Sequence, residues 1–230
     1  MTELLNIDRW LLALLNGSDS LFLDSVATTL TAGMTWVPLY FALLYLVVKN
    51  NDTMAKIMLT IVCAVVCVLI SSTVADGIVK PLVARPRPLN DPVYKDAVDT
   101  VAGMFSRQYS FFSGHASNTF SLAIFMAFLI RSRLATCFLV FWSLLNCWTR
   151  LYLGMHYPSD IVAGLLWGAM VGTGMYYLYR YLYYRFSPRI SYVSSQYTRT
   201  GYAYADVDVM CAVMVFILLY AAIKAVIVFV

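Results

Sequence analysis

The residues of this chain that could do chemistry lie in three short segments, at positions 80–88, 112–115 and 149–160. These segments contain both histidines of the chain, together with several cationic side chains and a carboxylate. Cations can bind the non-bridging oxygens of a phosphoryl group, and an imidazole nitrogen can attack its phosphorus atom. The residue types therefore predict phosphoryl chemistry on an anionic substrate.

The second and third segments each place a histidine at the start of a predicted helix. Ser113 stands where an N-cap would begin the helix, and Gly114 lets a ligand approach free backbone amides that favour an anion. Pro158 suits the first turn of a later helix, which leaves His156 just before that helix and Asp160 in its first turn. A carboxylate in that position can accept the N–H of one ring nitrogen of His156 and leave the other nitrogen free to attack.

Three cations, Lys80, Arg87 and Arg150, can bind the phosphoryl oxygens and offset the charge that accumulates in the transition state. This assignment needs no metal ion and no cofactor. The alternative is a magnesium site on an acidic loop, although the residues favour the interpretation of this segment as a solvated loop. The acidic residues of that loop are Asp91, Asp96 and Asp99.

Two further charged residues each have two possible roles. Arg85 stands two positions before Arg87, and a contact with a lipid headgroup or with the interface is as plausible as a direct phosphate contact. Asp76 precedes Lys80 by four residues, so that it could pair with this lysine on one helix face or act as a simple interfacial charge.

The elements that must position these residues are membrane helices, because 61% of the 230 residues are hydrophobic, 12% are charged and the mean hydropathy is +0.74. About 20 apolar residues cross the hydrocarbon core, so that six spans use roughly 120 residues. The expected fold is all-α, a single membrane-embedded domain over residues 1–230 with six transmembrane helices and an interfacial N-terminal segment. The spans are predicted at 34–48, 54–75, 116–130, 134–149, 159–183 and 207–230, and the interfacial stretches at 10–15 and 21–30.

The charges of the connections orient these spans, since short cytoplasmic loops carry an excess of Lys and Arg. Eight such residues flank the first, third and fifth connections, whereas nine of the twelve acidic residues belong to the opposite side. The parity of the spans carries all three chemical segments to that acidic side. The chain is therefore predicted to be a multi-pass protein of the cytoplasmic (inner) membrane, with its site on the periplasmic or extracellular face.

The three segments, in this order and at these intervals, resemble the signatures of the type 2 phosphatidic acid phosphatase superfamily of membrane lipid phosphatases. The matching patterns are Lys-x6-Arg-Pro, Ser-Gly-His and Arg-x5-His-x3-Asp, within residues 80–160. The resemblance implies that His156 is the nucleophile and forms a phosphohistidine, that Asp160 orients it, and that His115 protonates the leaving group. It assigns the phosphate pocket to Lys80, Arg87, Ser113, Gly114 and Arg150.

The resemblance also implies a substrate class, a lipid phosphate or diphosphate in the bilayer. The compact chain looks most like an undecaprenyl diphosphate phosphatase or a phosphatidylglycerophosphate phosphatase, with a lipid A phosphatase as the alternative. A lipid or anion transporter and a non-catalytic lipid-binding scaffold are the alternatives from other classes. Cations clustered at one membrane face without an internal repeat count against a transporter. A net charge of only +4, distributed by membrane side, counts against a nucleic-acid partner.

Overall fold

The computed structural model describes residues 2–103, 109–186 and 194–227, and these residues form nine α-helices. Short 3-10 helices and one π-helical segment, Thr73–Val79, lie between them. Since the described ranges contain no β-strand, the all-α prediction is confirmed. The helices are α1 Thr2–Leu15, α2 Leu21–Thr31, α3 Val37–Lys49, α4 Met54–Ser72, α5 Lys80–Val83, α6 Gly114–Ile130, α7 Arg133–Tyr152, α8 Pro158–Phe186 and α9 Tyr204–Ile227.

Each predicted span coincides with a helix over the described residues, and positions 228–230 of the last span lie outside them. The lengths of these helices nevertheless differ from those of a simple six-span bundle. Four stretches of the described residues are long and apolar enough to cross a bilayer: Met54–Asn90, Arg133–Tyr152, Pro158–Arg185 and Tyr204–Ile227. Helix α2 and the segment Gly33–Lys49 pass the same test only together, with a bend of 70° between them, and α6 is apolar but shorter. The chain is therefore a multi-pass membrane protein, whereas the count of six remains a prediction.

Helices α6 and α8 pack closely because three glycines of α8 face α6. Gly164, Gly168 and Gly172 recur every four residues, so they lie on one helix face. A Cβ atom on any of them would lie 2.5–2.7 Å from a backbone carbonyl oxygen of α6, those of Ser113, Ser117 and Ser121 respectively. Small residues at this spacing let two membrane helices approach along their backbones. The contact fixes the start of α6 against the start of α8, where two chemical segments lie.

The N-terminal helix lies across the same end of the bundle. Its buried residues, Asp8 and Leu12, contact the protein, while Ile7, Trp10 and Leu14 are more than half exposed. An amphipathic helix of this kind agrees with the predicted interfacial segment. The helix also has a polar role that the interfacial prediction did not include, because Asp8 reaches the candidate site.

The opposite end of the bundle brings together the other three connections, as the parity of the spans predicts. Asn50, after α3, donates a hydrogen bond to Asp206 of α9 at 2.9 Å. Thr200, before α9, donates to the carbonyl oxygen of Ile130 at the end of α6, also at 2.9 Å. The basic connections therefore share one end of the molecule, and the three chemical segments share the other.

Candidate active site

Lys80 begins α5 directly after the π-helical segment, and its position there buries the ammonium group at the site end of the bundle. Only 6% of the residue is exposed, and Nζ lies 2.5 Å from Oδ1 of Asp76. This ion pair decides between the two roles left open for Asp76. The same carboxylate lies beside Gly114, since a Cβ atom on that glycine would be 3.0 Å from Oδ1. The absence of a side chain at Gly114 therefore lets the first and second segments meet.

Arg87 and Arg150 are also buried, with 3% and 9% of their surfaces exposed. Arg87 Nη1 donates a hydrogen bond to the carbonyl oxygen of Met155 at 3.1 Å, and Arg150 Nη1 donates to Oγ1 of Thr31 at 2.9 Å. The positive charges of both arginines disfavour protonation of His156. Burying two guanidinium groups beside a histidine costs free energy, which a bound anion would offset.

Ser113 and His115 stand where the N-cap prediction places them. The Ser113 hydroxyl accepts a hydrogen bond from the backbone N–H of Ala116 at 3.4 Å, and the Ser113 N–H donates to the carbonyl oxygen of Asp160 at 3.1 Å. His115, in the first turn of α6, is exposed, in contrast to the buried His156. The positive charges of Arg150, Lys80 and Arg87 all disfavour protonation of His115. The structure thus brings every predicted site residue to one end of the bundle.

His156 and Asp160 approach each other, but at a distance longer than a hydrogen bond. Nδ1 of His156 lies 3.6 Å from Oδ2 of Asp160 and has no hydrogen-bond partner among the described residues. The same Oδ2 already accepts hydrogen bonds from the Tyr157 N–H at 2.9 Å and from the Ser110 hydroxyl. Oδ1 accepts from Arg85 at 2.8 Å. The carboxylate is therefore held in place by three donors, and the histidine is not one of them.

The environment of His156 keeps its imidazole neutral. Only 1% of the residue is exposed, and this burial lowers the pKa of His156 to about 3. Asp160 opposes the shift, whereas the positive charges of Arg87 and Arg150 reinforce it. Above that pH the ring has a free lone pair, which is the form that can act as a nucleophile.

Arg85 has a role that neither of the two open alternatives included. Besides Asp160, its guanidinium binds Ser159 Oγ at 2.8 Å and Asp8 Oδ2 at 2.8 Å, and it lies 4.0 Å from the centre of the Tyr157 ring. Asp8 also accepts a hydrogen bond from the backbone N–H of Ser159 at 2.9 Å. Arg85 thus joins α1 to the first turn of α8, and it forms ion pairs with two buried carboxylates of the protein.

The prediction that the acidic loop is solvated is wrong for its first acidic residue. Asp91 is buried, and Oδ2 accepts hydrogen bonds from Arg9 at 2.9 Å and from the Tyr157 hydroxyl at 2.8 Å. Asp91 therefore ties the loop to α1 and to the residue that follows His156. Over 2–103, 109–186 and 194–227, no three His, Cys, Asp or Glu residues lie together in a way that could hold a metal ion.

Sequence reasoning missed Asp8 and Ser110 as neighbours of Asp160. Asp8 was visible only as one of several acids on the predicted outer side, and Ser110 as part of an uncharged loop before the second segment. The one available signal was the pairing of an acid with an apolar helix face in α1, where Asp8 and Leu12 are four residues apart. Spacing of this kind indicates a shared face but not its partner.

Comparison with known proteins identifies similar chains. The family model described as the PAP2 superfamily matches residues 60–184. A lipid A 4'-phosphatase of Bacteroides thetaiotaomicron is 39% identical over 185 residues, which cover 77% of this chain and 80% of the relative. A lipid A 4'-phosphatase of Porphyromonas gingivalis is 35% identical over 184 residues, or 79% of this chain and 76% of the relative.

A more distant similarity covers less of the chain. The decaprenylphosphoryl-5-phosphoribose phosphatase of Mycobacterium tuberculosis is 36% identical over 96 residues, which are 42% of this chain and 49% of the relative. No solved structure matches the chain at a significant level.

Proposed function

This chain belongs to the PAP2 superfamily and is a membrane lipid phosphatase, and from that premise we propose that it removes the 4'-phosphate of lipid A. One observation carries the choice of substrate: two lipid A 4'-phosphatases are similar to this chain over more than three quarters of the length of both proteins. The undecaprenyl diphosphate and phosphatidylglycerophosphate substrates expected first find no support among these relatives. The lipid A alternative is therefore the better reading.

The proposed reaction begins with attack by His156 on phosphorus. The Nε2 lone pair forms a phosphorus–nitrogen bond while the bond from phosphorus to the sugar oxygen breaks. His115, whose imidazolium form the bound phosphate anion favours, donates a proton to that leaving oxygen. Asp160, held by Arg85, Ser110 and the Tyr157 N–H, stabilises the positive charge that develops on the His156 ring. The products of this step are the dephosphorylated lipid and a phosphohistidine.

Water completes the cycle by attack on the phosphohistidine. His115 takes a proton from the water as the new phosphorus–oxygen bond forms, and the phosphorus–nitrogen bond breaks to release inorganic phosphate and neutral His156. Lys80, Arg87 and Arg150, with the hydroxyl of Ser113 and the backbone amide of Gly114, bind the non-bridging oxygens in both steps. These groups supply the positive charge that phosphoryl transfer requires, so we propose a reaction that is independent of metal ions.

The proposed function is tested by phosphate release from the purified protein in detergent. The panel contains lipid A with its 4'-phosphate, undecaprenyl diphosphate and phosphatidylglycerophosphate, assayed in excess chelator. We expect lipid A to have the highest kcat/KM, and mass spectrometry of the product to show loss of the 4'-phosphate.

Other outcomes of this assay contradict separate parts of the proposal. A preference for either of the other two lipids would overturn the choice of substrate while leaving the phosphatase activity in place. Activity that disappears in chelator and returns with magnesium would refute the metal-independent mechanism.

The location of the site is a second part of the proposal. We place the chain in the cytoplasmic membrane with the active site on its periplasmic face, because the three basic connections lie at the opposite end of the bundle. Substrate then arrives from the outer leaflet.

Labelling of single cysteines tests this orientation in intact cells. In a background without the five native cysteines, Val93→Cys lies at the site end, where Val93 is 78% exposed, and Ser195→Cys lies at the opposite end. We expect a membrane-impermeant maleimide to label position 93 and to spare position 195 until the cells are lysed. The reverse pattern would place the active site in the cytoplasm.

A further inference from the structure

Asp76 lies in the π-helical segment Thr73–Val79, directly before Lys80. The backbone N–H of Lys80 donates to the carbonyl oxygen of Ala75, five residues earlier, and Pro81 has no N–H with which a regular helix could continue. Short π-helical turns are rare and occur frequently at functional sites. Here the turn places Asp76 beside Lys80 at the site end of the bundle.

The Asp76 carboxylate lies between two parts of the phosphate pocket. Oδ1 is 2.5 Å from Nζ of Lys80, and a Cβ atom on Gly114 would be 3.0 Å from Oδ1 and 3.3 Å from Oδ2. Gly114 directly precedes His115, so the carboxylate also lies beside the start of α6. The side chain of Asp76 is 47% exposed and that of Lys80 8%. The carboxylate thus stands at the open edge of the site and holds a buried ammonium group.

The charges around His115 are mainly positive. Desolvation by the surrounding protein lowers the pKa of His115, and so do the positive charges of three cations, Arg150, Lys80 and Arg87. The negative charge of Asp76 opposes this shift. Asp76 therefore acts on the proposed general acid as well as on a cation of the phosphate pocket.

Each histidine of the site has a carboxylate that favours its protonated form. Asp160 has this effect on His156, and it also forms an ion pair with Arg85 on the α8 side of the site. Asp76 has the same effect on His115. The pattern Arg-x5-His-x3-Asp accounts for Asp160, whereas Asp76 belongs to none of the three matched patterns.

The proposed reaction requires His115 to change its protonation state twice. The ring donates a proton to the leaving oxygen in the first step and takes one from water in the second, so it must be an imidazolium at the start of each cycle. An opposite charge nearby favours the charged form of a titratable group. The bound phosphate supplies such a charge while substrate is present, and the fixed carboxylate of Asp76 supplies it throughout the cycle.

We propose that Asp76 is a positioning residue of this phosphatase, an inference that rests on the proposed roles of Lys80 and His115. Its carboxylate holds the Lys80 ammonium group in the phosphate pocket and stabilises the imidazolium form of His115. The proton that reaches the leaving oxygen comes from His115, and Asp76 stays ionised in both steps.

Asp76→Asn tests this role, because the substitution removes the charge and keeps the shape of the side chain. The substrate is whichever lipid phosphate the wild-type protein hydrolyses fastest. We expect kcat at neutral pH to fall about tenfold, since lowering the pKa of an imidazole by one unit lowers its protonated fraction above that pKa by this factor. The basic limb of the kcat–pH profile should move to lower pH.

Two controls separate this effect from a general disturbance of the site. With para-nitrophenyl phosphate, whose leaving group needs no proton, kcat of Asp76→Asn should change much less than with the lipid. Asp19→Asn removes the same charge from an exposed residue after α1 and should keep the wild-type profile. Equal losses with both substrates, or an unchanged basic limb in Asp76→Asn, would overturn the proposed action on His115.

Nuclear magnetic resonance measures the same effect without turnover, since the chain has only two histidines. The protein is labelled with 15N-histidine and purified in detergent without a polyhistidine tag, and His156→Ala assigns the signals of His115. We expect the titration midpoint of the His115 ring to be lower in Asp76→Asn than in the wild-type protein and to be unchanged in Asp19→Asn.

A second pair of variants controls for folding, because Asp76→Asn takes the carboxylate away from the buried ammonium group of Lys80. Lys80→Gln and the double variant Lys80→Gln/Asp76→Asn both lack that ammonium group. A lower His115 midpoint in the double variant than in Lys80→Gln would support a direct effect of Asp76 on His115. Equal midpoints in the two variants would overturn it.

These measurements also separate the role of Asp76 from the proposed substrate. Preference of the wild-type protein for a lipid other than lipid A would refute the proposed substrate and leave the comparison of variants intact. Hydrolysis of lipid A by Asp76→Asn with the wild-type kcat and pH profile would refute the role of Asp76 alone.

Discussion

Replacement of His156 by alanine is expected to reduce phosphate release from the lipid substrate by about 10⁴-fold or more, the effect typical of removing a nucleophile. The imidazole is buried and held neutral by its surroundings, with the pKa of His156 lowered to about 3, so that its lone pair is available throughout the physiological pH range. No other nitrogen nucleophile occupies its place, because the second histidine lies at the exposed start of α6. Steady-state phosphate release in detergent measures the loss.

The matched control is His115→Ala, which removes the other imidazole. We expect this variant to be slow on the lipid substrate yet to regain turnover with para-nitrophenyl phosphate, whose leaving group needs no proton. Quenching in an alkaline denaturant during turnover should trap phosphate on His156 in this variant. Acid-labile phosphate found on His115 in the wild-type protein, or full activity in His156→Ala, would reverse the two assignments.

Gly168→Leu is expected to damage both stability and activity, because α6 and α8 touch at this glycine. A Cβ atom there would lie 2.7 Å from the carbonyl oxygen of Ser117 and 3.1 Å from the backbone nitrogen of Ser121, and neither backbone atom can rotate away. Overpacking of this kind typically costs about 1–3 kcal/mol. The helices must separate, which displaces His115 from His156, and a shift of about 1 Å in an active site can lower the rate about 10²-fold. Thermal unfolding in detergent and phosphate release measure the two effects.

Gly174→Leu is the matched control on the same helix. A Cβ atom on Gly174 has no neighbour within 4 Å, and the residue is exposed. A leucine side chain at this position therefore clashes with no other part of the protein. We expect a wild-type Tm and wild-type activity. If Gly168→Leu had the same Tm and the same rate of phosphate release as Gly174→Leu, the close contact of α6 with α8 would not be what aligns the site.

The buried charges at the site explain why the N-terminal helix belongs to the enzyme. Arg85 lies between Asp8 and Asp160, so removal of this arginine leaves two buried carboxylates without the cation that they share. Such a loss is strongly destabilising in proteins, because a buried ion without a partner retains its desolvation cost. The helix α1 therefore supports the carboxylate that faces His156, in addition to any contact with the membrane surface.

Much of this protein could be predicted from its sequence because the relevant signals are local. Apolar runs of the right length located the helices, and turn and cap residues such as Ser113 and Pro158 located their ends. Once the helix ends were known, parity alone brought the three chemical segments to one face. The roles of His156, His115 and the cations remain proposals, but their gathering at one end of the bundle followed from positions along the chain.

Only the tertiary structure decided the contacts between distant residues. Asp8 and Arg85 are 77 positions apart, and nothing in either neighbourhood specifies the other, since an ion pair depends on how α1 packs across the bundle. The bend of 70° between α2 and Gly33–Lys49 is likewise a feature of the folded chain, and so is the apolar cavity of about 430 Å³ between α3, α4, α6 and α7. Hydropathy and spacing record which face of a helix is apolar, whereas the partner of that face is set by the whole fold.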